Sequence, residues 1–339
     1  MSLPAPKPGH VAVITGASSG IGADIAREFS RRGHELALVA RSGDKLQALA
    51  DELSTTAHVL EADLGDPAVR AGLTAELESR GLTPQVLVNN AGFSTLGPVH
   101  SSDPAEELKM IEVDVAAVAD LCSRFLPGMV ERGEGAVLNV ASTAAFQPLP
   151  GQAGYGAAKA FVLSYSRSIS EELKRTGVTV TVLCPGPVST GFGEAAGFTK
   201  EQEENALPGF MWVSSADVAK TAVEGMEKGT LVVIPGLANR AGAAFAHLMP
   251  KRVLMPILAK QHPGLPRGGR ARVPRTAGDG RARLRPRRHP ARGNPAPHRR
   301  ARRQRRAARR PRGHPRARAP AVGTEQPRRR RPRPAPGPT

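Results

Sequence analysis

With 339 residues and a formal net charge of +18, this chain is long enough for one large domain, but its charge is unevenly spread. Residues 262–339 hold 26 Arg, no Lys and two acids, a formal +24, which leaves residues 1–261 at −6, the balance of an ordinary globular body. Two cysteines in apolar surroundings, Cys122 and Cys184, argue against a disulfide scaffold, and with no signal-peptide core in Met1–His10 and no apolar run of ~18 residues the expected location is cytoplasmic.

After a short leader, residues 1–9, the run Val11–Thr15 predicts a first strand and Gly20–Arg32 a helix. Between them lies Thr15-Gly16-Ala17-Ser18-Ser19-Gly20-Ile21-Gly22. Gly16 permits a tight exit from the strand, Gly20 lets the backbone approach a pyrophosphate, and Gly22 lets the helix sit close to the sheet. Free N–H groups and the positive dipole end at the helix start suit phosphates. Ser18, Ser19 and Ile21 complete this candidate cofactor turn. A second strand, Leu36–Ala40, ends on Arg41-Ser42. An acid at that tip would favour NAD; a cation with a hydroxyl beside it suits a 2′-phosphate, so NADP(H) is favoured over NAD(H).

The alternation continues. Helix Asp44–Leu53 precedes strand Ala57–Leu60, and helix Pro67–Arg80 precedes strand Val86–Asn89. A long helix follows, Pro104–Arg132, which Pro127 should end or kink. Strand Ala136–Ala141, helix Gly154–Arg175, strand Thr179–Cys184, helix Ser215–Lys228 and strand Leu231–Ile234 complete the series. Val- and Leu-rich runs, apolar on both faces, are those of parallel strands covered on both sides. The class is α/β: a Rossmann-type doubly wound, seven-stranded parallel sheet with helices on both faces, spanning 10–236.

Tyr155 and Lys159 are four residues apart in the fifth predicted helix, so phenol and ammonium share a face. A nearby cation lowers a phenol pKa from its usual ~10, making Tyr155 usable as an acid/base. Ser142 lies at the end of an apolar run upstream. The nine histidines show no metal-ligand spacing, and no metal is expected.

Six segments occur in order: the glycine turn, Asp63-Leu64, Asn89-Asn90-Ala91-Gly92, Ser142, Tyr155-x-x-x-Lys159 and Pro185-Gly186. Together they resemble the short-chain dehydrogenase/reductase family in its single-domain form, over His10 to Gly236. The resemblance implies that Tyr155 exchanges a proton with a carbonyl oxygen, that Ser142 hydrogen-bonds that oxygen, and that Lys159 holds the nicotinamide ribose and lowers the Tyr155 pKa. It also implies that Asp63 meets the adenine amine and Leu64 the ring, and that Asn90, Ala91 and Gly92 lie against the adenosine ribose. Pro185, Gly186 and Val188 would flank the nicotinamide, and Thr190 would offer a hydroxyl to the carboxamide or a phosphate. Where many members have an asparagine that holds a water beside the lysine, this chain has Asp114. A carboxylate there could still hold a water, and would tend to raise the Lys159 pKa.

Ser189–Val213 mixes Phe192, Phe198, Phe210, Met211 and Trp212 with the charged stretch Lys200–Glu204, and would form a substrate lid. Phe146, Gln147 and Leu149 would line the opposite wall. The expected reaction is reduction of a ketone or aldehyde with some apolar bulk, or oxidation of the corresponding alcohol. A low-turnover dinucleotide-binding sensor or scaffold is the alternative. The family's usual pairing face, around the helices Pro104–Arg132 and Gly154–Arg175, implies a homodimer or homotetramer. Residues 237–261 form an apolar, cationic helical extension that would complete the pocket, meet another subunit or rest on a membrane surface. Residues 262–339, rich in Arg and Pro and without aromatics, should be disordered. They read as a polybasic arm for nucleic acid or an anionic membrane, as an unselected extension, or as an out-of-frame product of GC-rich codons.

Overall fold

The computed structural model describes residues 3–199, 208–262 and 264–265. Among them seven strands form one parallel sheet: β1 (His10–Thr15), β2 (Glu35–Ala40), β3 (Ala57–Glu61), β4 (Thr83–Asn89), β5 (Gly135–Val140), β6 (Val178–Leu183) and β7 (Val232–Val233). Their spatial order is β3-β2-β1-β4-β5-β6-β7. The helices are α1 (Gly20–Arg31), α2 (Gly43–Glu52), α3 (Pro67–Ser79), α4 (Pro104–Ile111), α5 (Ala117–Arg132), α6 (Ala153–Glu172), α7 (Phe192–Ala195), α8 (Ser215–Glu227), α9 (Leu237–Leu248) and α10 (Lys251–Gln261).

The period of two in β1 divides the core. Ala12 and Ile14 face one layer, with Ile25 and Phe29 of α1 and Val218, Ala222, Val223 and Met226 of α8. Val11 and Val13 face the other, with Leu73 and Leu77 of α3 and Leu121 and Phe125 of α5. Each of these side chains is buried, which is why the strands carry no polar alternation. β1 pairs with β2 on one side and β4 on the other. After β1 the chain winds outward to β3, then restarts at β4. The carboxyl ends of β1 and β4 therefore open a crevice, the usual ligand position in such sheets.

The long fourth helix differs from its sequence expectation. Pro127 neither ends nor delimits it: α5 runs through Pro127 to Arg132 and stops at Gly133, whose φ of 68° is left-handed. Leu121, Cys122, Phe125 and Met129 bury one face of α5 and hold the proline within it. A departure from α geometry lies at Glu112–Ala116, a single π-turn joining α4 to α5. β7 is also shorter than expected, with two paired residues. The charged stretch Lys200–Glu204 and the Arg-rich residues 266–339 lie outside the described residues.

Candidate active site

The glycine turn between β1 and α1 has the backbone that its residues permit. Gly16 and Gly20 adopt φ of 65° and 56°. A Cβ on Gly22 would stand 2.3 Å from the Gly16 carbonyl oxygen, so only glycine lets the helix close onto the turn. Thr15 and Asn90 brace this turn against β4. The Thr15 hydroxyl donates to the Val88 carbonyl at 3.0 Å and accepts from the Asn90 and Ala91 N–H groups at 2.9 and 3.1 Å. The Asn90 side-chain amide donates to the Thr15 carbonyl at 2.9 Å.

A cleft of about 550 Å³ runs from this turn along the carboxyl edge of the sheet. Its walls bring together Gly16, Ser18, Ser19, Gly20, Ile21, Arg41, Ser42, Asp63, Leu64, Asn90, Ala91, Gly92, Ser142, Tyr155, Lys159, Pro185, Gly186, Val188 and Thr190. Of the residues singled out in the sequence, Gly22 and Asp114 stand behind the wall. Lys45, Phe93, Lys109 and Phe192 also line the cleft. Lys45 follows Arg41 by four positions, and that doubled cation was the available signal. Phe146 lies elsewhere: it lines a separate cavity beside β7, with Val232, Val233 and Arg240. Leu149 abuts α6 at Gly156, where an added Cβ would come within 2.9 Å of it. Neither residue is among those that line this cleft.

At the far end of the cleft, α6 presents Tyr155 and Lys159 one turn apart. Ser142 follows β5 and caps the short turn Thr143–Phe146, its Oγ accepting from the Ala144 N–H at 3.1 Å. Its hydroxyl donates to the Pro185 carbonyl at 3.5 Å. The Lys159 Nζ lies 5.6 Å from the Tyr155 ring centre and donates to the Val140 carbonyl at 3.2 Å.

The π-turn places Asp114 against this lysine. Asp114 is fully buried, and its Oδ2 sits 2.9 Å from Lys159 Nζ. Its Oδ1 accepts from the Phe93 N–H at 2.9 Å. Gly92 makes room for it, since a Cβ there would stand 2.9 Å from Oδ1. The negative charge that the sequence places near Lys159 stands in a direct ion pair with it. Burial pushes the Lys159 pKa down, but Asp114 and Tyr155 pull it up, and the net shift is upward. Burial pushes the Asp114 carboxyl up, against the pull of Lys159. For Tyr155 burial again leads and raises the phenol; Lys159 pulls it down, Asp114 pushes it up, and the Ser142 hydroxyl pulls it down. The cation that should acidify Tyr155 is in place, yet in these surroundings burial and Asp114 outweigh it.

Two further features carried no sequence signal. Asn239 of α9 is buried against the Pro185–Gly186 loop, where a Cβ on Gly186 would meet its Oδ1 at 2.3 Å. Its amide donates to the Met211 and Pro235 carbonyls at 2.9 and 3.2 Å. His262, just past α10, reaches back to the start of α6, its Nε2 lying 3.1 Å from the Gln152 Oε1. Gln152 in turn donates to the Ser94 hydroxyl at 2.7 Å. From the lid, Phe192 lies 5.7 Å from the Tyr155 ring, and Phe198 lies 6.5 Å from the His262 ring.

The profile of the family described as short chain dehydrogenase matches residues 10–202. An NADP-dependent 3-hydroxy acid dehydrogenase, YdfG of Salmonella typhi, is 35% identical over 208 residues, covering 58% of this chain and 84% of that protein. Among solved structures, a short-chain dehydrogenase from Sphingobium yanoikuyae in complex with NADPH superposes with a TM-score of 0.62 at 34% identity, over 73% of this chain and 95% of that one. A short-chain dehydrogenase/reductase from Burkholderia phymatum in complex with NAD superposes with a TM-score of 0.63 at 26% identity, over 75% and 96%. A seven-stranded parallel sheet, a glycine turn at its switch point and a family match across more than half of the length lead to one conclusion: this chain is an oxidoreductase of the short-chain dehydrogenase family.

Proposed function

We propose that this chain is an NADP(H)-dependent oxidoreductase that reduces a ketone or aldehyde, or oxidises the corresponding alcohol, with Tyr155 as acid/base. One observation carries the reading. Ser142, Tyr155 and Lys159 converge at one end of a cleft whose other end holds the glycine turn, Arg41, Ser42 and Lys45. The residues present fit a dinucleotide: the turn would be blocked by a Cβ at Gly22, and hydroxyls and two cations gather where a phosphorylated ribose would lie. When bound, the nicotinamide supplies or accepts the hydride.

Tyr155 and Ser142 would flank the substrate oxygen. In reduction the Tyr155 hydroxyl gives its proton to that oxygen, and in oxidation the phenolate takes it back. Ser142 donates a hydrogen bond to the same oxygen as negative charge develops there. Lys159, charged and held by Asp114 and the Val140 carbonyl, stabilises the phenolate and would meet the ribose hydroxyls. Arg41 with Ser42 and Lys45 would hold the 2′-phosphate. Asp63 and Leu64 would meet the adenine, Ala91 and Gly92 the adenosine ribose, and Pro185, Gly186, Val188 and Thr190 the nicotinamide. Phe192 beside Tyr155 supports a substrate with apolar bulk. Exposed Leu108 and Ile111 of α4 and Phe161 of α6 support pairing of two copies through that face.

The test is NADPH consumption over a panel of ketones and aldehydes, with Tyr155→Phe as control. Turnover by the parent and a loss of about 10²-fold or more in the variant are expected. Turnover that Tyr155→Phe leaves intact would overturn the mechanism. NADPH binding without turnover on any carbonyl would favour the sensor reading.

A further inference from the structure

The outward faces of the last two helices are inverted for a protein in water. On α9 the exposed residues are Leu237, Arg240, Ala241, Ala244 and Phe245, which fall on one side at helical spacing. On α10 they are Arg252, Val253, Pro256, Ile257 and Lys260, again one side. A helix on a globular surface ordinarily turns charged and polar residues outward. These two turn aliphatic and aromatic side chains outward and place cations beside them. Leu237 is 81% exposed, Phe245 59%, Val253 53% and Ile257 44%.

The inner side of α9 is fixed: Asn239, Ala243 and Ala246 are buried, and Asn239 is hydrogen-bonded to Met211 and Pro235. The outward residues are thus the ones the fold leaves over, and α9 cannot roll to hide them. Phe210, next to Met211, is 76% exposed and extends the apolar surface toward the lid.

Charge selects the occupant. From Thr230 to Leu265 the chain has Arg240, Lys251, Arg252 and Lys260 and no acid. The neighbouring carboxylate, Glu224 of α8, lines a cavity with Arg240 and is paired with Lys228 at 3.7 Å, so apolar anchors flanked by cations remain, and these match the headgroup region of an anionic bilayer. Two copies of this face pressed together would bring Arg240, Arg252 and Lys260 of one against the same three cations of the other. No described helix is long and apolar enough to cross a membrane, so the contact would lie in the interface plane.

We propose that α9 and α10 form an interfacial binding surface for anionic lipid bilayers, with Leu237, Phe245, Val253 and Ile257 entering the headgroup–acyl boundary and Arg240, Arg252 and Lys260 meeting lipid phosphates. This is a binding surface apart from the cleft, and it stands whether or not the catalytic reading does.

The experiment uses the full chain with vesicles of phosphatidylcholine alone or mixed with phosphatidylglycerol. Co-sedimentation should require phosphatidylglycerol. The double variant Phe245→Asp/Ile257→Asp should weaken partitioning by about tenfold or more. A Phe245→Trp reporter should shift its emission to the blue on vesicles and be quenched by brominated lipid, relative to the parent with Trp212 alone. The Arg-rich residues 266–339 could hold the chain on anionic vesicles by charge alone. In that case sedimentation would persist while the reporter stayed unquenched and the double variant bound normally, and the proposal would fall. It would fall equally if the reporter shifted with protein concentration in the absence of lipid, which would make a second copy the occupant.

Discussion

Replacing Asp114 by Asn removes one buried charge and keeps the side chain's shape. The Asp114 carboxylate lies 2.9 Å from an ammonium that is itself 5.6 Å from the Tyr155 ring centre. It is therefore within about 8.5 Å of the ring, and at an effective dielectric of ~20 its repulsion of a phenolate there is at least about 2 kcal/mol. In the parent, burial raises the Tyr155 phenol, Asp114 adds to the rise, and Lys159 opposes it. Neutralising Asp114 leaves the lysine unopposed, so the phenolate forms at lower pH. In the proposed mechanism alcohol oxidation needs the phenolate, so the acid limb of its kcat/KM profile should move down by roughly one pH unit or more in Asp114→Asn. The Asn oxygen can still accept from the Phe93 N–H, and circular dichroism and melting verify that the fold persists. The assay is alcohol oxidation with NADP from pH 6 to 10, parent against variant. Superimposable profiles, or a limb displaced to higher pH, would refute the electrostatic reasoning.

Arg41→Ala combined with Lys45→Ala should raise the KM for NADPH by about 10- to 100-fold and leave that for NADH nearly unchanged; equal losses for both would remove the 2′-phosphate assignment. His34 is buried beside Phe29 and Gln85, and burial depresses its pKa to about 4. Its folded pKa lies below the unfolded one, so its contribution is whole above pH ~6.5 and drains as pH falls toward about 4, by an order of ~3 kcal/mol. Urea melts at pH 7.5 and 4.5 should show the loss, and His34→Asn should blunt it; identical slopes in parent and variant would refute this. Gly151 has φ of 91°, and a Cβ there would stand 2.3 Å from His262 Nδ1. Gly151→Ala should therefore displace the His262–Gln152–Ser94 chain at the start of α6, raising substrate KM several-fold while NADPH affinity, read by fluorescence titration, stays constant. A fall in cofactor affinity instead would show that this contact supports the whole cleft.

Local chemistry made much of this legible in advance. The glycine turn, the strands and the Tyr155–Lys159 pair are set by short-range rules: φ freedom, period two and helical spacing. What escaped was set by long-range packing. Pro127 stays inside α5 because the helix buries a whole face, which outweighs one missing backbone donor. The direct Asp114–Lys159 pair depends on a π-turn, and nothing in Glu112–Ala116 announces one. Asn239 meets Gly186 across more than fifty residues of chain, so neither residue predicts the other. Phe146 lines a cavity beside β7, a neighbour that its distance along the chain from Ser142 does not announce.

Asn239 has a practical consequence for deletion work. It wedges between the Pro185–Gly186 loop and the Met211 carbonyl, so the last turn of sheet at Val233 is not the end of what the active centre requires. A protein trimmed at Gly236 would keep every described strand and still lose the peg that sets the rim of the cleft at Pro185 and Gly186. Such a truncation should fold and yet grip its coenzyme loosely, a phenotype easily mistaken for damage to chemistry that the cut never touched.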